Sequence, residues 1–361
     1  MRTRPSPRTI PSRTPAFRTV HRAAALTVAL ALTLSVGACS SGKPSGGGGG
    51  KGPADGPLSI AYLQKQGDQE YFVSEAAGAR RRADELGIRL RVVNLGNDAS
   101  KTITEVKSAA AQKNQGIIIV VPESAVGPQV VAEARNAGIA LLTSDDQVCA
   151  NGPRPADCDK ANLVPRVGFS GVQMGNEVGK RAAAEFLKAG WSAADTRIVY
   201  AWKQDTTVCT DRVNGAKAAW KEAGGPEVRA VEVGTDNTPA GAQAKVEATV
   251  TANQGVRHWV VMGCNDENVS GGVKGLNNAG VKGADIIGIG LGAYLACKDW
   301  QAGADNGMKA ALYIPGDEVG KLAVQAMYDK LKNGKEFAPE SFAPTRMVDA
   351  EHWKDAGLSC A

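Results

Sequence analysis

The run Gly116-Ile117-Ile118-Ile119-Val120-Val121 carries no polar side chain and no in-and-out alternation. Its β-branched residues favour an extended chain, and the missing alternation implies a strand covered on both faces, the habit of parallel sheets between helices. Working outward, amphipathic stretches flank it, from about Ala99 to Gln112 before and from Ser124 to Asn136 after. Beyond them lie two more strands, Arg89-Leu90-Arg91-Val92-Val93 and Ile139-Ala140-Leu141-Leu142-Thr143. A helix from Ser74 to Leu86 and a first strand, Leu58-Ser59-Ile60-Ala61-Tyr62-Leu63, open the series. A second series begins after Val164, with strands near Arg197 to Trp202, Val228 to Val233, His258 to Met262 and Asp285 to Ile289. Two βαβ series of similar size predict an α/β protein of two doubly wound parallel-sheet lobes. The final strand and helix, about Met308 to Lys332, suit either lobe.

A chain of 361 residues is long enough for two such lobes, each with its own core. With 43% hydrophobic and 22% charged residues, wholesale disorder is excluded. The formal charge of +5 owes itself to six arginines, Arg2, Arg4, Arg8, Arg13, Arg18 and Arg22, with no acid among them. Without those six, 36 basic face 37 acidic side chains. A near-neutral body has no bulk attraction for nucleic acid, and no nucleic-acid partner is expected.

The arginine-rich opening leads into the apolar run from Ala23 to Leu34, too short for a comfortable membrane span. It ends in Val36-Gly37-Ala38-Cys39, which resembles a bacterial lipobox and implies a signal peptide over 1–38 and diacylation of Cys39. The alternative is an ordinary cleavage site that happens to precede a cysteine. The composition of 39–57 favours the anchor: it holds Gly46 to Gly50 in an unbroken run with Pro44, Pro53 and Pro57, a lipidated tether that cannot pack. The expectation is an extracytoplasmic body held to the bacterial cell membrane by lipid.

Cys149, Cys158, Cys209, Cys264, Cys297 and Cys360 make an even set for an oxidising compartment, and six cysteines allow 15 pairings. The local pair Cys149 and Cys158, bracketing Asn151-Gly152-Pro153-Arg154-Pro155, is the simplest. No Cys-x-x-Cys occurs, and His258 and His352 are far apart, so no metal is expected.

Ligands of open parallel sheets sit beyond the carboxyl ends of strands. After the first strand comes Lys65-Gln66-Gly67-Asp68-Gln69-Glu70-Tyr71-Phe72, and after the fourth Ser144-Asp145-Asp146-Gln147. In the second series, Lys203-Gln204-Asp205 with Arg212, and Gly263-Cys264-Asn265-Asp266, hold the equivalent places. Any single one reads better as solvated loop; four together gather amides, carboxylates, cations and aromatics. A sugar needs that set, with planar groups to bond neighbouring hydroxyls and rings to cover its C–H face. Lys65 and Arg212 balance Asp145 and Asp146, which suits a neutral polar ligand better than a phosphate or dicarboxylate.

Over nearly all of 58–361 the chain resembles the arabinose-binding members of the type I periplasmic sugar-binding proteins of ABC importers. The stretch Val256-Arg257-His258-Trp259-Val260-Val261-Met262-Gly263-Cys264-Asn265-Asp266 carries most of it, continuing through Gly271-Gly272-Val273 to Ala284-Asp285-Ile286-Ile287-Gly288-Ile289-Gly290. Lys65-Gln66, Asp145-Asp146-Gln147 and Val164-Pro165 match as well. The resemblance implies two lobes joined by three crossovers and closing around one monosaccharide. The last strand and helix return to the first lobe, and the tail to the second. The first sugar-binding lobe is then 58–169 plus 314–343, and the second is 170–313 plus 344–361. It implies sugar contacts from Lys65, Gln69, Tyr71, Phe72, Asp145, Asp146, Phe169, Arg212, Cys264 and Asn265. Gln69 stands where the family has glutamate, and Phe169 and Cys264 where it has methionines. Gly292 and Leu295 replace a ligand-bonding asparagine and aspartate, which leaves sugar hydroxyls unpaired unless Tyr294 or water makes the lost bonds; the fold and ligand class carry over, and the sugar's identity does not. The two-lobe reading also sets Cys209 beside Cys264 near the cleft, where they are expected to form a disulfide, with Cys297 bonded to Cys360; a free Cys264 lining the pocket is the alternative.

Enzyme readings fare worse. Asp145 and Asp146 are adjacent on an extended segment and point apart, unlike a glycosidase pair, and neither Gly-x-Ser-x-Gly nor His-Glu-x-x-His occurs. Gly288-x-Gly290-x-x-Ala293 imitates a dinucleotide fingerprint but lacks the acid about 20 residues on. A repressor of the same fold needs a DNA-binding start where this chain has a signal and tether. The expectation is a monomeric solute-binding protein with no cofactor, serving an ABC permease and its ATPase subunit; the alternative is a sugar sensor docking on a membrane receptor.

Overall fold

Strands sort into two six-stranded sheets within residues 56–148 and 163–360, those described by the computed structural model. The signal, Cys39, nearly all of the tether and the Cys149–Cys158 pair lie outside them. The first sheet uses β1 (Ser59–Gln64), β2 (Arg89–Asn94), β3 (Gly116–Ile119), β4 (Ala140–Ser144), β5 (Arg166–Gly168) and β11 (Glu340–Phe342), in the order β11-β5-β4-β3-β1-β2. The second uses β6 (Thr196–Trp202), β7 (Ala230–Gly234), β8 (His258–Gly263), β9 (Ile286–Gly292), β10 (Met308–Tyr313) and β12 (Arg346–Val348), in the order β12-β10-β9-β8-β6-β7. Every pairing is parallel except β10 with β12.

The apolar run of β3 is explained by its two covers. Ile118 and Val120 pack under α1 (Glu70–Glu85) and α9 (Gly316–Asn333), while Ile117 and Ile119 pack under α2 (Ala99–Ala111) and α3 (Gly127–Asn136). In the second sheet, α4 (Gly171–Ala189) and α5 (Thr207–Glu222) cover Ile198, Tyr200, Val260 and Met262. The opposite face, with Val199, Val261 and Ile286, packs under α6 (Pro239–Ala252), α7 (Asp266–Asn278) and α8 (Ala296–Gln301).

Two expectations need correction. The final strand and helix part company: β10 pairs with β9 in the second sheet, and only α9 returns to pack on α1 in the first. The short β11 and β12 then join opposite sheets, so the chain passes between lobes after β5, after β10 and after β11. Helix α1 also starts at Glu70 rather than Ser74, because no breaker separates them and an acid in the first turn suits the positive end of the helix dipole. Tyr71 and Phe72 therefore sit on its opening turn and not on a loop.

Close helix contact aims the site. A Cβ on Gly175 of α4 would lie 2.1 Å from the carbonyl oxygen of Arg212 on α5. Only glycine lets the two backbones approach this closely, and that approach seats Arg212.

Candidate ligand-binding cleft

One cavity of about 240 Å³ lies where the carboxyl ends of both sheets meet. Lys65, Gln69, Tyr71, Phe72, Asp145, Arg212, Cys264 and Asn265 all line it. Asp146 and Phe169 do not. Phe169 is buried in the crossover after β5, its ring 6.3 Å from that of Tyr71. The Asp146 carboxylate accepts from the Gln147 backbone N–H at 2.9 Å. Burial, reinforced by the Asp145 charge, raises Asp146 to about 6, although Lys65 and Arg212 pull it down.

Asp145 follows β4 in the left-handed region, φ 61°, a conformation that aspartate tolerates better than most residues. Its Oδ1 lies 3.2 Å from Arg212 Nη2, so a first-lobe carboxylate pairs with a second-lobe guanidinium. Arg212 is only 6% exposed, and its Nη1 donates to the Cys264 carbonyl at 2.9 Å. Its buried Nε–H has no partner. Buried donors are rarely left unpaired, so that N–H is available to a ligand.

Other contacts also bridge the lobes. Lys298 Nζ lies 3.4 Å from Glu70 Oε1. Tyr294, after β9, donates its hydroxyl to the Ile314 carbonyl at 2.9 Å and accepts from Gly316 N–H at 3.2 Å, gripping the crossover before α9. Glu267 is raised to about 7, by burial first and by the Asp266 charge next, while a hydrogen bond from Gln69 across the cleft opposes the rise. Asp266 is raised to about 6 by burial, against the pull of the Leu295, Ala296 and Ala293 N–H groups.

Reasoning from the sequence misses Glu123, which follows β3, and Asp236-Asn237-Thr238, which follow β7, yet all four line the cavity. The strand-end rule applied to every strand would have found them. Glu267, on the first turn of α7, and Tyr294, two residues past β9 and already a candidate beside Gly292 and Leu295, carry the same strand-end signal. With Lys65, Lys203 and Arg212 set against Glu123, Asp145, Asp236, Asp266 and Glu267, the lining holds more acid than base, which disfavours an anionic ligand.

Cys209 and Cys264, both lining residues, are bonded to each other with Cα atoms 4.8 Å apart. Cys297 is bonded to Cys360 at a Cα separation of 5.7 Å. Both pairs match the expected connectivity. Among the described residues, no cluster of ligating side chains fits a metal ion.

Two parallel α/β lobes, three passages of chain between them and a ligand-sized cavity at their junction define a two-lobed solute-binding protein. The chain belongs to the periplasmic binding protein family, whose domain it matches over residues 60–336. The L-arabinose-binding periplasmic protein of Escherichia coli (strain K12) is 27% identical over 286 residues, covering 79% of this chain and 84% of that protein. An ABC transporter L-arabinose-binding periplasmic protein of Azospirillum brasilense is 25% identical over 306 residues, 83% of this chain and 89% of its own. Among solved structures, an ABC transporter periplasmic solute-binding protein from Actinobacillus succinogenes 130z with bound D-allose shares the fold. Its TM-score is 0.69 at 21% identity, over 82% of this chain and 99% of that one. The arabinose transporter component of Shewanella sp. ANA-3, bound to L-arabinofuranose, gives 0.68 at 19% identity, over 83% and 94%. The family consists of binding proteins and not enzymes, which closes the hydrolase reading.

Proposed function

We propose that this protein is the solute-binding component of an ABC sugar importer, taking one neutral monosaccharide between its lobes and handing it to a permease driven by an ATPase subunit. The observation that carries the reading is the inter-lobe Arg212–Asp145 pair inside a cavity of acids, amides and aromatic rings. A ligand that offers hydroxyl hydrogens to Asp145 and oxygens to Arg212 and Lys65 touches both lobes at once. Such a ligand stabilises the closed arrangement through its differential contacts. Tyr71 and Phe72 supply ring surface for a sugar's C–H face. The named relatives support an arabinose-like pentose or a related hexose. The sequence before residue 56 supports export, cleavage before Cys39 and a lipid anchor on the outer face of the cell membrane, with the protein acting as a monomer.

Calorimetry of the unliganded protein against a panel of pentoses and hexoses tests the reading. A binder tighter than millimolar is expected, with Arg212→Ala losing about a hundredfold in affinity through the loss of charged hydrogen bonds. A panel without such a binder removes the transport reading. Mass spectrometry of the membrane fraction checks the anchor, which requires a diacylated peptide beginning at Cys39.

A further inference from the structure

Asn265 caps α7, its Oδ1 accepting from the backbone N–H of Asn268 at 3.0 Å. A backbone nitrogen can only donate, so this bond decides which end of the Asn265 amide is oxygen. Asn268 Nδ2 brings a second hydrogen bond, 2.6 Å, to the same oxygen. Asn265 is left with its NH2 group, one hydrogen of which leans on the Asn237 carbonyl at 3.4 Å. Since Asn265 lines the cavity, what remains for a ligand is an N–H.

The residue behind it is fixed as firmly. Asn268 is fully buried, and its Nδ2 also donates to Asn237 Oδ1 at 2.6 Å, while its Oδ1 accepts from Thr235 Oγ1 at 2.6 Å. Asn237, at φ 63°, has its own amide set by a backbone donor, the N–H of Lys203 at 3.0 Å. Its backbone N–H in turn donates to Thr235 Oγ1 at 3.2 Å. Three backbone donors therefore fix a chain of three amides and a hydroxyl, drawn from the ends of β6, β7 and β8. Asn268 is buried and Thr235, Asn237 and Asn265 are half-buried, and turning any of these amides would oppose like groups, so the chain holds a single arrangement.

We infer that Asn268, backed by Asn237 and Thr235, is a positioning residue that holds Asn265 as a pure hydrogen-bond donor toward the cleft. The ligand atom facing Asn265 is then an acceptor, a ring or hydroxyl oxygen, and never a group that can only donate. This rests on the proposed sugar-binding role of the cleft.

Two measurements test it. In Asn268→Asp, carboxylate oxygens would face the oxygens of Asn265 and Asn237 and turn the Asn265 amide. Affinity for the tightest sugar of the panel should fall about tenfold or more, yet by less than about twofold in an Asn265→Ala background, because Asn268 acts only through Asn265. Undiminished affinity, or equal losses in both backgrounds, overturns the inference. If Asn268→Asp fails to fold, Thr235→Val, which removes the donor to Asn268 Oδ1, is run through the same cycle with the same criteria. Independently of any ligand, the Asn268 side-chain amide protons of the ¹⁵N-labelled protein should exchange far more slowly than those of exposed asparagines. Exchange at the exposed rate overturns the inference. A wild-type protein that binds no sugar removes the proposed function instead, and the amide measurement still decides the relay.

Discussion

Glu75 lies on α1 with no solvent exposure, facing the hydroxyls of Tyr62 and Ser144 just behind Asp145. Burial raises its carboxyl from 4.5 to about 8, and the Asp145 charge adds to the rise. Tyr62 and Ser144 offset this only in part, and neither carboxyl oxygen has a well-aligned hydrogen bond. Tyr62 and Tyr71, which share the nest, are also pushed upward, by burial first. Below pH 4.5 Glu75 is neutral in both the folded and the unfolded chain and costs nothing. Between 4.5 and 8 the unfolded chain releases the proton while the folded one retains it, so stability falls as pH rises and levels off above 8. At about 1.4 kcal/mol per unit of pKa, the full effect is on the order of 5 kcal/mol, and about 3 kcal/mol by pH 7. Glu75→Gln keeps the shape of the neutral acid without a proton to lose. Relative to wild type, the variant should gain stability steadily from about pH 5 to about pH 8 in urea unfolding. Subtracting the two curves removes the contributions of Asp146, Asp266 and Glu267, which titrate in both proteins. A difference that stays flat with pH, or that moves in favour of wild type, refutes the argument.

Burial raises Glu267 from 4.5 to about 7, so the folded chain loses stability as pH rises through that window. Glu267→Gln should gain stability over wild type by about 2–3 kcal/mol between about pH 5 and pH 7 in urea unfolding, and a difference that stays flat with pH refutes this. In Gly175→Ala the new methyl would meet the Arg212 carbonyl, and urea midpoints should report a loss of about 1–3 kcal/mol together with weaker sugar binding. Replacing Cys209 and Cys264 by serine opens a loop of 55 residues and should cost roughly 4 kcal/mol in the same assay. Peptide mapping without reduction should recover the two cysteines in one linked peptide.

The strands were legible because each is an apolar run with two covered faces, and β3 shows why: alternate residues serve different helix pairs, so none can be polar. Sheet membership near the C-terminus was not legible. The strand at Met308 and the helix after it have ordinary patterns, and only β9, offering its free edge to β10, decides that they separate. Arg212, Asp145 and Asn265 were legible as residues following strands, but the pairing of Arg212 with Asp145 across the cleft was not, because it depends on how the two lobes face each other.

Gly292 and Leu295 show how far such reading goes. The sequence raises the question of what replaces the two ligand-bonding side chains lost there, with Tyr294 as one candidate. Tyr294 already spends its hydroxyl on Ile314 and Gly316 at the crossover, so it is not the replacement. The Leu295 and Ala296 N–H groups both donate to Asp266, which turns this corner into a cap for α8. What lines the cavity here is Leu291, Gly292 and Tyr294 from the turn, with Ile314 from the crossover after β10 beside them. Hydroxyls set against the wall of Leu291, Gly292 and Ile314 would lose their hydrogen bonds to water and gain none from those side chains, at about 1–3 kcal/mol each. Under the proposed function, the sugar edge that fits there carries hydrogens on carbon, and a panel contrasting a hexose with its 6-deoxy counterpart should rank the deoxy sugar higher. The reverse ranking would mean that the hydroxyls of the ligand point to this wall after all, and that the polar contacts come from somewhere other than Asp145, Arg212 and Asn265.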